Sequence, residues 1–191
     1  MIASVVLAAG LARRMGRQKL LLNLQGKPVV RWAVERLVPH VGDIVVVTGQ
    51  DDAAIREALS GLSLRFAVNP SPQAGQGSSI AVGIAALPPW TQAALIALGD
   101  QPRVPDAVVP ALLAALERAG KAIVAPVYRG AQGTPVLFTA ALFAELKALT
   151  GDAGARSVVT RHPERVERVT FDLPMPPDVD TPEDFARLHV Q

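Results

Sequence analysis

The chain has 191 residues, of which 50% are hydrophobic and 19% are charged. This length and composition favour one folded domain, spanning residues 1–191, and exclude general disorder. The formal net charge of +2 is too small to predict nucleic-acid binding. The chain contains no cysteine, which excludes disulfides, thiolate catalysis and cysteine-ligated metals.

The hydrophobic segments are too short for membrane spans, because none reaches the roughly 18 to 20 apolar residues that a bilayer requires. The apolar N-terminal segment also differs from a signal peptide, since its positive charges follow the apolar run instead of preceding it. We therefore expect a cytoplasmic protein that binds neither a membrane nor nucleic acid.

Short apolar runs alternate along the chain with segments of helical spacing. Most of the runs lack polar alternation, which is typical of strands covered on both faces. The predicted strands are 2–9, 44–47, 66–68, 93–98, 122–127, 136–138 and 166–171. The first predicted helix begins at Pro28, and the next five are 52–59, 78–87, 105–119, 140–149 and 153–161. The last predicted helix starts at Thr181, with Pro182 in its first turn and a capping box to Asp184. This alternation predicts an α/β fold, a mostly parallel sheet with helices on both faces.

The first predicted strand leads into a loop, residues 10–19, with the sequence GLARRMGRQK. Gly10 and Gly16 allow the backbone to approach a ligand closely. Four cations lie in the same stretch: Arg13, Arg14, Arg17 and Lys19. Guanidinium and ammonium groups match phosphate oxygens, so the loop is typical of a polyphosphate site, although a solvated turn with surface arginines has the same composition. Neither a Walker A sequence nor a GxGxxG fingerprint is present, which argues against a Rossmann oxidoreductase.

Two groups of carboxylates are candidates for metal binding. Asp100 lies in the sequence GDQP, directly after the predicted strand 93–98. A charge at the end of a buried strand needs water, a cation or another partner, and Mg2+ is suitable, although Gly, Asp and Pro also form ordinary turns. Asp178 and Asp180 precede the last helix, where they can share a cation with Asp100 or stabilise the positive end of that helix.

Three further turns contain glycines and are candidates for ligand contact. Residues 75–79 (GQGSS) lead into a helix, so their N–H groups and hydroxyls can bind a base, ribose or phosphate, and Ser78 can equally serve as an N-cap. Residues 130–135 and 151–156 can each line a second substrate pocket or form plain loops.

These motifs, in this order and spacing, resemble the nucleotidyltransferase family with an NTP-transferase fold, most closely its molybdenum cofactor cytidylyltransferase branch. The resembling segments are LAAGLARRMGRQK, QGSSI, GDQP, GTPVLF, GDAGAR and DVDTPEDF, which together extend over essentially the whole chain. The resemblance implies a Rossmann-like single domain that transfers CMP from CTP to molybdopterin, with Mg2+ or Mn2+, and releases pyrophosphate. It also implies a molybdenum hydroxylase as the protein that receives the product.

The same resemblance implies roles for individual residues. The nucleotide would be bound by Ala8, Ala9, Gly10, Arg13, Gly16, Lys19, Gln76, Gly77 and Ser78. Asp100 and Asp180 would bind the metal, with Asp178 as a further candidate, and the catalytic residues would be Arg13, Lys19 and Asp100. The acceptor would be faced by Gly133, Thr134, Pro135 and Arg156.

Two positions bear on the choice of substrate. The related guanylyltransferases tend to carry a glycine at the position of Ala9, and an added methyl there favours a pyrimidine base by on the order of 1 to 3 kcal/mol. Thr134 departs from the histidine or other polar residue of many relatives, which leaves the acceptor open. The alternatives are a guanylyltransferase, another nucleotidyltransferase with a different NTP or phosphorylated acceptor, and a non-catalytic accessory protein that delivers cofactor to a molybdenum hydroxylase.

Overall fold

Ten strands and seven α-helices alternate along residues 1–10 and 18–189, which are the residues that the computed structural model describes. The strands are β1 (Ile2–Ala8), β2 (Asn23–Leu24), β3 (Lys27–Pro28), β4 (Asp43–Thr48), β5 (Arg65–Val68), β6 (Ala93–Leu98), β7 (Ile123–Tyr128), β8 (Ala131–Gln132), β9 (Val136–Thr139) and β10 (Val166–Phe171). The helices are α1 (Val29–Glu35), α2 (Asp52–Ala58), α3 (Gln76–Ala85), α4 (Val108–Ala119), α5 (Phe143–Lys147), α6 (Ala155–Arg161) and α7 (Pro182–Leu188).

The main sheet has eight strands, and its order along the hydrogen-bonded path is β10-β7-β9-β6-β1-β4-β5, with β8 paired to β7. Strand β1 lies between β4 and β6 and is parallel to both. Strand β9 is antiparallel to β6 and β7, while β10 is parallel to β7. The register pairs Leu7 with Leu98, so the carboxyl ends of β1 and β6 lie side by side. In sheets of this kind ligands bind beyond the carboxyl ends of the strands.

Helices cover both faces of the sheet, as the sequence predicts. Alternate residues of β1 point to opposite sides, because side chains alternate along a strand. Val6 packs into a core with residues of α1, α2 and α4, whereas Val5 packs into a second core with residues of α3, α5 and α6. The predicted α/β fold with a mostly parallel sheet is therefore confirmed. Among the described residues, no helix has both the length and the apolar character needed to span a bilayer.

The element boundaries agree best where the apolar run is long. Strands β6 and β10 have the predicted bounds, and the capping box of α7 is confirmed by hydrogen bonds in both directions between Thr181 and Asp184. The predicted helix 140–149 begins instead with a 3-10 turn at 140–142, before α5. The two-residue strands β2, β3 and β8 were not predicted, because two residues are too few to show a period.

Candidate active site

The residue that follows β6 is hydrogen-bonded to the end of β1. The backbone N–H of Gly99 donates to the carbonyl of Leu7 at 3.0 Å. A Cβ at position 99 would lie 3.0 Å from the same carbonyl oxygen, which is a tight contact. Glycine suits this close approach of the two strand ends, which places Asp100 beside the loop that follows β1.

Lys19 lies between two carboxylates that come from distant parts of the chain. Its Nζ donates to Asp100 Oδ2 at 2.6 Å and to Asp180 Oδ1 at 2.7 Å. The side chains of Lys19 and Asp100 are 13% and 19% exposed, while that of Asp180 is 47% exposed. Burial by itself lowers the pKa of Lys19, but Asp100 and Asp180 outweigh this effect and raise the pKa above its ordinary value. Lys19 is therefore a protonated cation at neutral pH.

Asp178 is close to this cluster but makes a different hydrogen bond. The backbone N–H of Val179, a buried residue, donates to the carbonyl of Asp100 at 3.1 Å and anchors the segment before α7. Asp178 Oδ1 accepts from Gln101 Nε2 at 2.7 Å. Reduced hydration of the Asp178 carboxylate raises its pKa, and the negative charges of Asp100 and Asp180 raise it further.

The donor set of Asp100 and Asp180 fits a hard divalent cation. One oxygen from each carboxylate lies within 2.7 Å of a single cationic atom, Lys19 Nζ, so both can reach the same ion. Mg2+ and Mn2+ prefer oxygen ligands, and Mg2+ is commonly held by one or two carboxylates together with water and phosphate oxygens. Among the residues that the structure describes, no group of three or more acidic or histidine side chains forms a metal cage. An ion bound by Asp100 and Asp180 would take the place that the Lys19 ammonium occupies.

Two adjoining clefts meet at this edge of the sheet. The lysine cleft, about 210 Å³ in volume, is lined by Leu7, Ala9, Gly10, Lys19, Leu20, Pro72, Gly75, Gln76, Ser79, Leu98 and Asp100. The arginine cleft, about 270 Å³ in volume, is lined by Leu7, Gln76, Ile80, Ile96, Leu98, Gln101, Gln132, Gly133, Thr134, Val136, Ala155, Arg156, Met175 and Asp178. Leu7, Gln76 and Leu98 line both, so two molecules bound in the clefts would be neighbours.

The structure brings several of the predicted nucleotide-binding residues to the lysine cleft. Ala9, Gly10, Lys19 and Gln76 all line it. Ala8 instead lies in the core at 2% exposure, because it is still part of β1. The predicted residues Arg13 and Gly16 lie outside the described part of the chain, as do Arg14 and Arg17.

The polar groups of Gly77 and Ser78 are used within the fold, and neither residue lines a cleft. The N–H of Gly77 donates to the carbonyl of Gly151 at 2.9 Å. The hydroxyl of Ser78 donates to the carbonyl of Gly75 at 2.8 Å and accepts from Asn69 Nδ2 at 2.8 Å. These contacts favour a structural role for both residues. The N–H of Gly77 joins the turn to the loop before α6, and the hydroxyl of Ser78 stabilises the turn itself. Ser79, the second serine of the 75–79 turn that the sequence analysis named for ligand contact, lines the lysine cleft instead.

The predicted acceptor residues are divided between the arginine cleft and the interior. Gly133, Thr134 and Arg156 line the arginine cleft. Pro135 lines a separate small cavity together with residues of α1 and α4. The sequence analysis predicted no role for Gln101 of the GDQP motif, yet its buried side chain forms part of the cleft wall. A polar side chain directly after a strand-end aspartate is the signal that could have identified it.

Some curated relatives match this chain in part, and PucB matches it over almost its whole length. The purine catabolism protein PucB of Bacillus subtilis is 28% identical over 195 residues, an alignment that covers 96% of this chain and 94% of PucB. A "probable molybdenum cofactor guanylyltransferase" of Thermococcus gammatolerans is 28% identical over 126 residues, which cover 63% of this chain and 60% of that protein. The bifunctional protein GlmU of Sorangium cellulosum is 33% identical over 133 residues, and the matched region is 28% of its length.

Solved structures with the same fold match the chain from end to end. Rv0371c from Mycobacterium tuberculosis superposes with a TM-score of 0.86 at 29% identity, covering 100% of this chain and 98% of its own. A complex of the same mycobacterial protein with manganese superposes with a TM-score of 0.83 at 27% identity, again over 100% and 98% of the two chains. Manganese has therefore been found in a protein of this fold.

The family model described as "MobA-like NTP transferase domain" matches residues 4–166, which extend from within β1 to the first residue of β10. The matched region contains Lys19 and Asp100, while Asp180 lies beyond it. The chain therefore belongs to the family of MobA-like NTP transferase domains.

Proposed function

We propose that this protein, acting as one domain, transfers CMP from CTP to the terminal phosphate of molybdopterin and releases pyrophosphate. The observation that carries the proposal is the cluster of Lys19, Asp100 and Asp180 beside two adjoining clefts. One cation and two carboxylates at this point can handle both the charge of a triphosphate and a metal that accompanies it.

The lysine cleft is the proposed site of the nucleotide. Ala9 and Gly10 follow β1, and within residues 1–10 and 18–189 no heavy atom lies within 4 Å of where a Cβ of Gly10 would be, so the described part of the chain leaves room for a ligand at this backbone. The methyl group of Ala9 reduces the space for a base in the same cleft. This supports the smaller pyrimidine base and hence CTP, with a discrimination on the order of 1 to 3 kcal/mol.

The arginine cleft is the proposed site of the acceptor. The guanidinium of Arg156 can form paired hydrogen bonds to a phosphate group. Met175 adds an apolar surface beside Gly133, and Thr134 lines the same cleft. The similarity to a molybdenum cofactor guanylyltransferase supports molybdopterin as this acceptor.

The chemistry requires positioning and charge neutralisation. An oxygen of the acceptor phosphate attacks the α-phosphorus of CTP, the bond from that phosphorus to the β-phosphate oxygen breaks, and pyrophosphate leaves. The attacking phosphate needs no general base, because its second pKa is about 6. Mg2+, or Mn2+ in its place, would screen the negative charge of the phosphate oxygens when it is bound by Asp100 and Asp180. Lys19 would then leave the two carboxylates, and its ammonium would hold the triphosphate and later the pyrophosphate. Arg13 is proposed to assist it.

The test is to mix the purified protein with molybdopterin, Mg2+ and each of the four common NTPs separately, and to measure pyrophosphate release. Release with CTP alone is expected. Release with GTP alone would keep the mechanism and make the protein a guanylyltransferase, the second candidate, which the similarity to the Thermococcus protein favours. No release with any nucleotide would overturn the transferase reaction with molybdopterin and favour another acceptor or an accessory role.

The product is proposed to pass to a molybdenum hydroxylase in the cytoplasm. The resemblance of the motifs to the cytidylyltransferase branch supports this partner. The transfer itself requires only the two small-molecule substrates and the metal.

A further inference from the structure

A chain of hydrogen bonds joins three segments that line the arginine cleft, those of Gln101, Thr134 and Asp178. Gln101, which is 4% exposed, is at its centre. Its Nε2 donates to Asp178 Oδ1 at 2.7 Å, and its Oε1 accepts from the hydroxyl of Thr134. The carbonyl of Thr134 in turn accepts from the hydroxyl of Tyr128, a buried residue, at 3.0 Å.

The chemistry of the partners determines the orientation of the Gln101 amide. An ionised Asp178 carboxylate can only accept, so it must face the NH2 end. The carbonyl end then faces Thr134, whose hydroxyl can donate. Both polar ends of a buried amide are therefore satisfied, and removing either partner would leave a buried polar group without a hydrogen bond.

The two partners of Gln101 belong to distant segments of the chain. Thr134 is 33 positions away and Asp178 is 77 positions away. The walls also touch directly, because a Cβ at Gly133 would lie 2.5 Å from Met175 Sδ. Beyond Asp178, the N–H of Val179 is bound to the carbonyl of Asp100. Gln101 therefore lies where the cleft wall that contains Thr134 meets the segment that carries Asp178 and Asp180.

We propose that Gln101 is a positioning residue that holds the wall formed by residues 132–134 in register with the carboxylates of residues 178–180. The proposal rests on the proposed function for the identity of the acceptor. Gln101 acts through Thr134 and Asp178 and does not touch the reacting phosphates. Its effect is to fix how far an acceptor in the arginine cleft lies from a nucleotide in the lysine cleft. A misplacement of about 1 Å can cost roughly 100-fold in rate.

The first test compares variants that remove the hydrogen bonds while keeping the volume. Gln101→Met removes both bonds of the amide, and Thr134→Val removes one. We expect kcat/KM for molybdopterin to fall roughly 10- to 100-fold in Gln101→Met, while the KM for CTP stays within about 2-fold of the wild-type value. A purely structural role would reduce both substrates' kcat/KM in proportion to the loss of folded protein, and that result would overturn the proposal.

A matched pair of variants tests the hydrogen bond itself. Gln101→Glu places a carboxylate against Asp178 and should impair molybdopterin transfer. Adding Asp178→Asn should restore most of it, because the new amide at position 178 can donate to the new carboxylate at position 101 with the same total charge. Asp178→Asn alone serves as the control. A double variant no more active than Gln101→Glu would overturn the proposal.

Hydrogen exchange of the full chain without ligands separates this inference from the proposed function. The N–H groups of Gly133 and Val179 are bound to the carbonyls of Pro126 and Asp100, so each reports on one wall. Both should exchange faster in Gln101→Met than in the wild type. Unchanged exchange at both positions overturns the role of Gln101, whatever the activity. A wild-type protein that releases no pyrophosphate overturns the proposed function, and faster exchange would still support the positioning role.

Discussion

Lys19 Nζ lies 2.6 Å from Asp100 Oδ2, although the two residues are 81 positions apart in the chain. The same ammonium bonds to Asp180, so one partly buried cation pairs with two carboxylates beside the lysine cleft. Since the carboxylates are also the proposed metal ligands, the lysine and the metal compete for the same oxygens.

The first prediction concerns this competition. Lys19→Met leaves Asp100 and Asp180 without their cation, so the free energy of unfolding without metal should fall by roughly 1.5 to 3 kcal/mol. Mg2+ should then raise the melting temperature of the variant more than that of the wild type, because the ion no longer has to displace the ammonium. Thermal denaturation with and without Mg2+ measures both effects.

Lys27→Met is the matched control, since Lys27 pairs with Glu35 away from the clefts. It should show the wild-type response to Mg2+. An equal response of Lys19→Met and the wild type would contradict the metal site assigned to Asp100 and Asp180.

A second prediction concerns catalysis by the carboxylates. Asp100→Asn keeps the size of the side chain but removes its charge, and pyrophosphate release should fall on the order of 100- to 1000-fold without loss of the folded state. Steady-state kinetics and circular dichroism measure the two quantities. Asp106→Asn, at an exposed carboxylate paired with Arg36, should retain wild-type turnover. Wild-type turnover in Asp100→Asn would refute the assignment.

A third prediction concerns base selection. Ala9→Gly removes the methyl from the wall of the lysine cleft and should shift the ratio of kcat/KM for CTP and GTP towards GTP by about 10-fold. Competition between the two nucleotides in one reaction measures the ratio. Ala3→Gly, at the opposite end of β1, should leave the ratio unchanged. The same ratio in Ala9→Gly as in the wild type would rule out the methyl as the determinant.

A fourth prediction concerns the pH dependence of stability. Hydrogen bonds from Arg56 and Thr48 lower the pKa of Asp52 below its ordinary value of 3.8. A carboxyl with a lowered pKa in the folded state stabilises the protein above pH 3.8, and the stabilisation is lost as the pH falls through the lowered value. Asp52→Asn should therefore be less stable than the wild type at pH 7, and the difference should shrink below pH 3.8.

Urea denaturation at a series of pH values measures this difference. Glu57→Gln, on the same helix at an exposed position, is the control and should follow the wild type. A stability difference between Asp52→Asn and the wild type that does not change with pH would show that the ionised carboxylate is not its source.

Sequence patterns predicted the features that depend on neighbouring residues. The apolar runs of β6 and β10 were long enough to set their bounds, and the Thr181 capping box involves residues only three positions apart. Asp100 was predicted at a strand end, where the structure has it. Each of these features is determined within one element, so no knowledge of tertiary contacts was needed.

Contacts between distant segments were beyond sequence reasoning. Lys19 was predicted to hold a triphosphate, and its bonds to Asp100 and Asp180 depend on how three separate segments meet. Similarly, the resemblance places Gly77 near the nucleotide, and the sequence gives no sign that its N–H also donates to the carbonyl of Gly151 in a distant loop. No spacing rule encodes which loop will pack against a given turn.

The two hydrogen bonds of Lys19, one to Asp100 and one to Asp180, have a consequence for how the ligands bind. A divalent ion that binds alone must displace the Lys19 ammonium from the two carboxylates. A triphosphate that binds alone and attracts Lys19 leaves Asp100 and Asp180 without a counter-ion. When both are present, each relieves the cost of the other. Thermodynamic reciprocity then requires that the metal strengthen nucleotide binding by the same factor by which the nucleotide strengthens metal binding. The metal and the triphosphate are therefore expected to bind cooperatively.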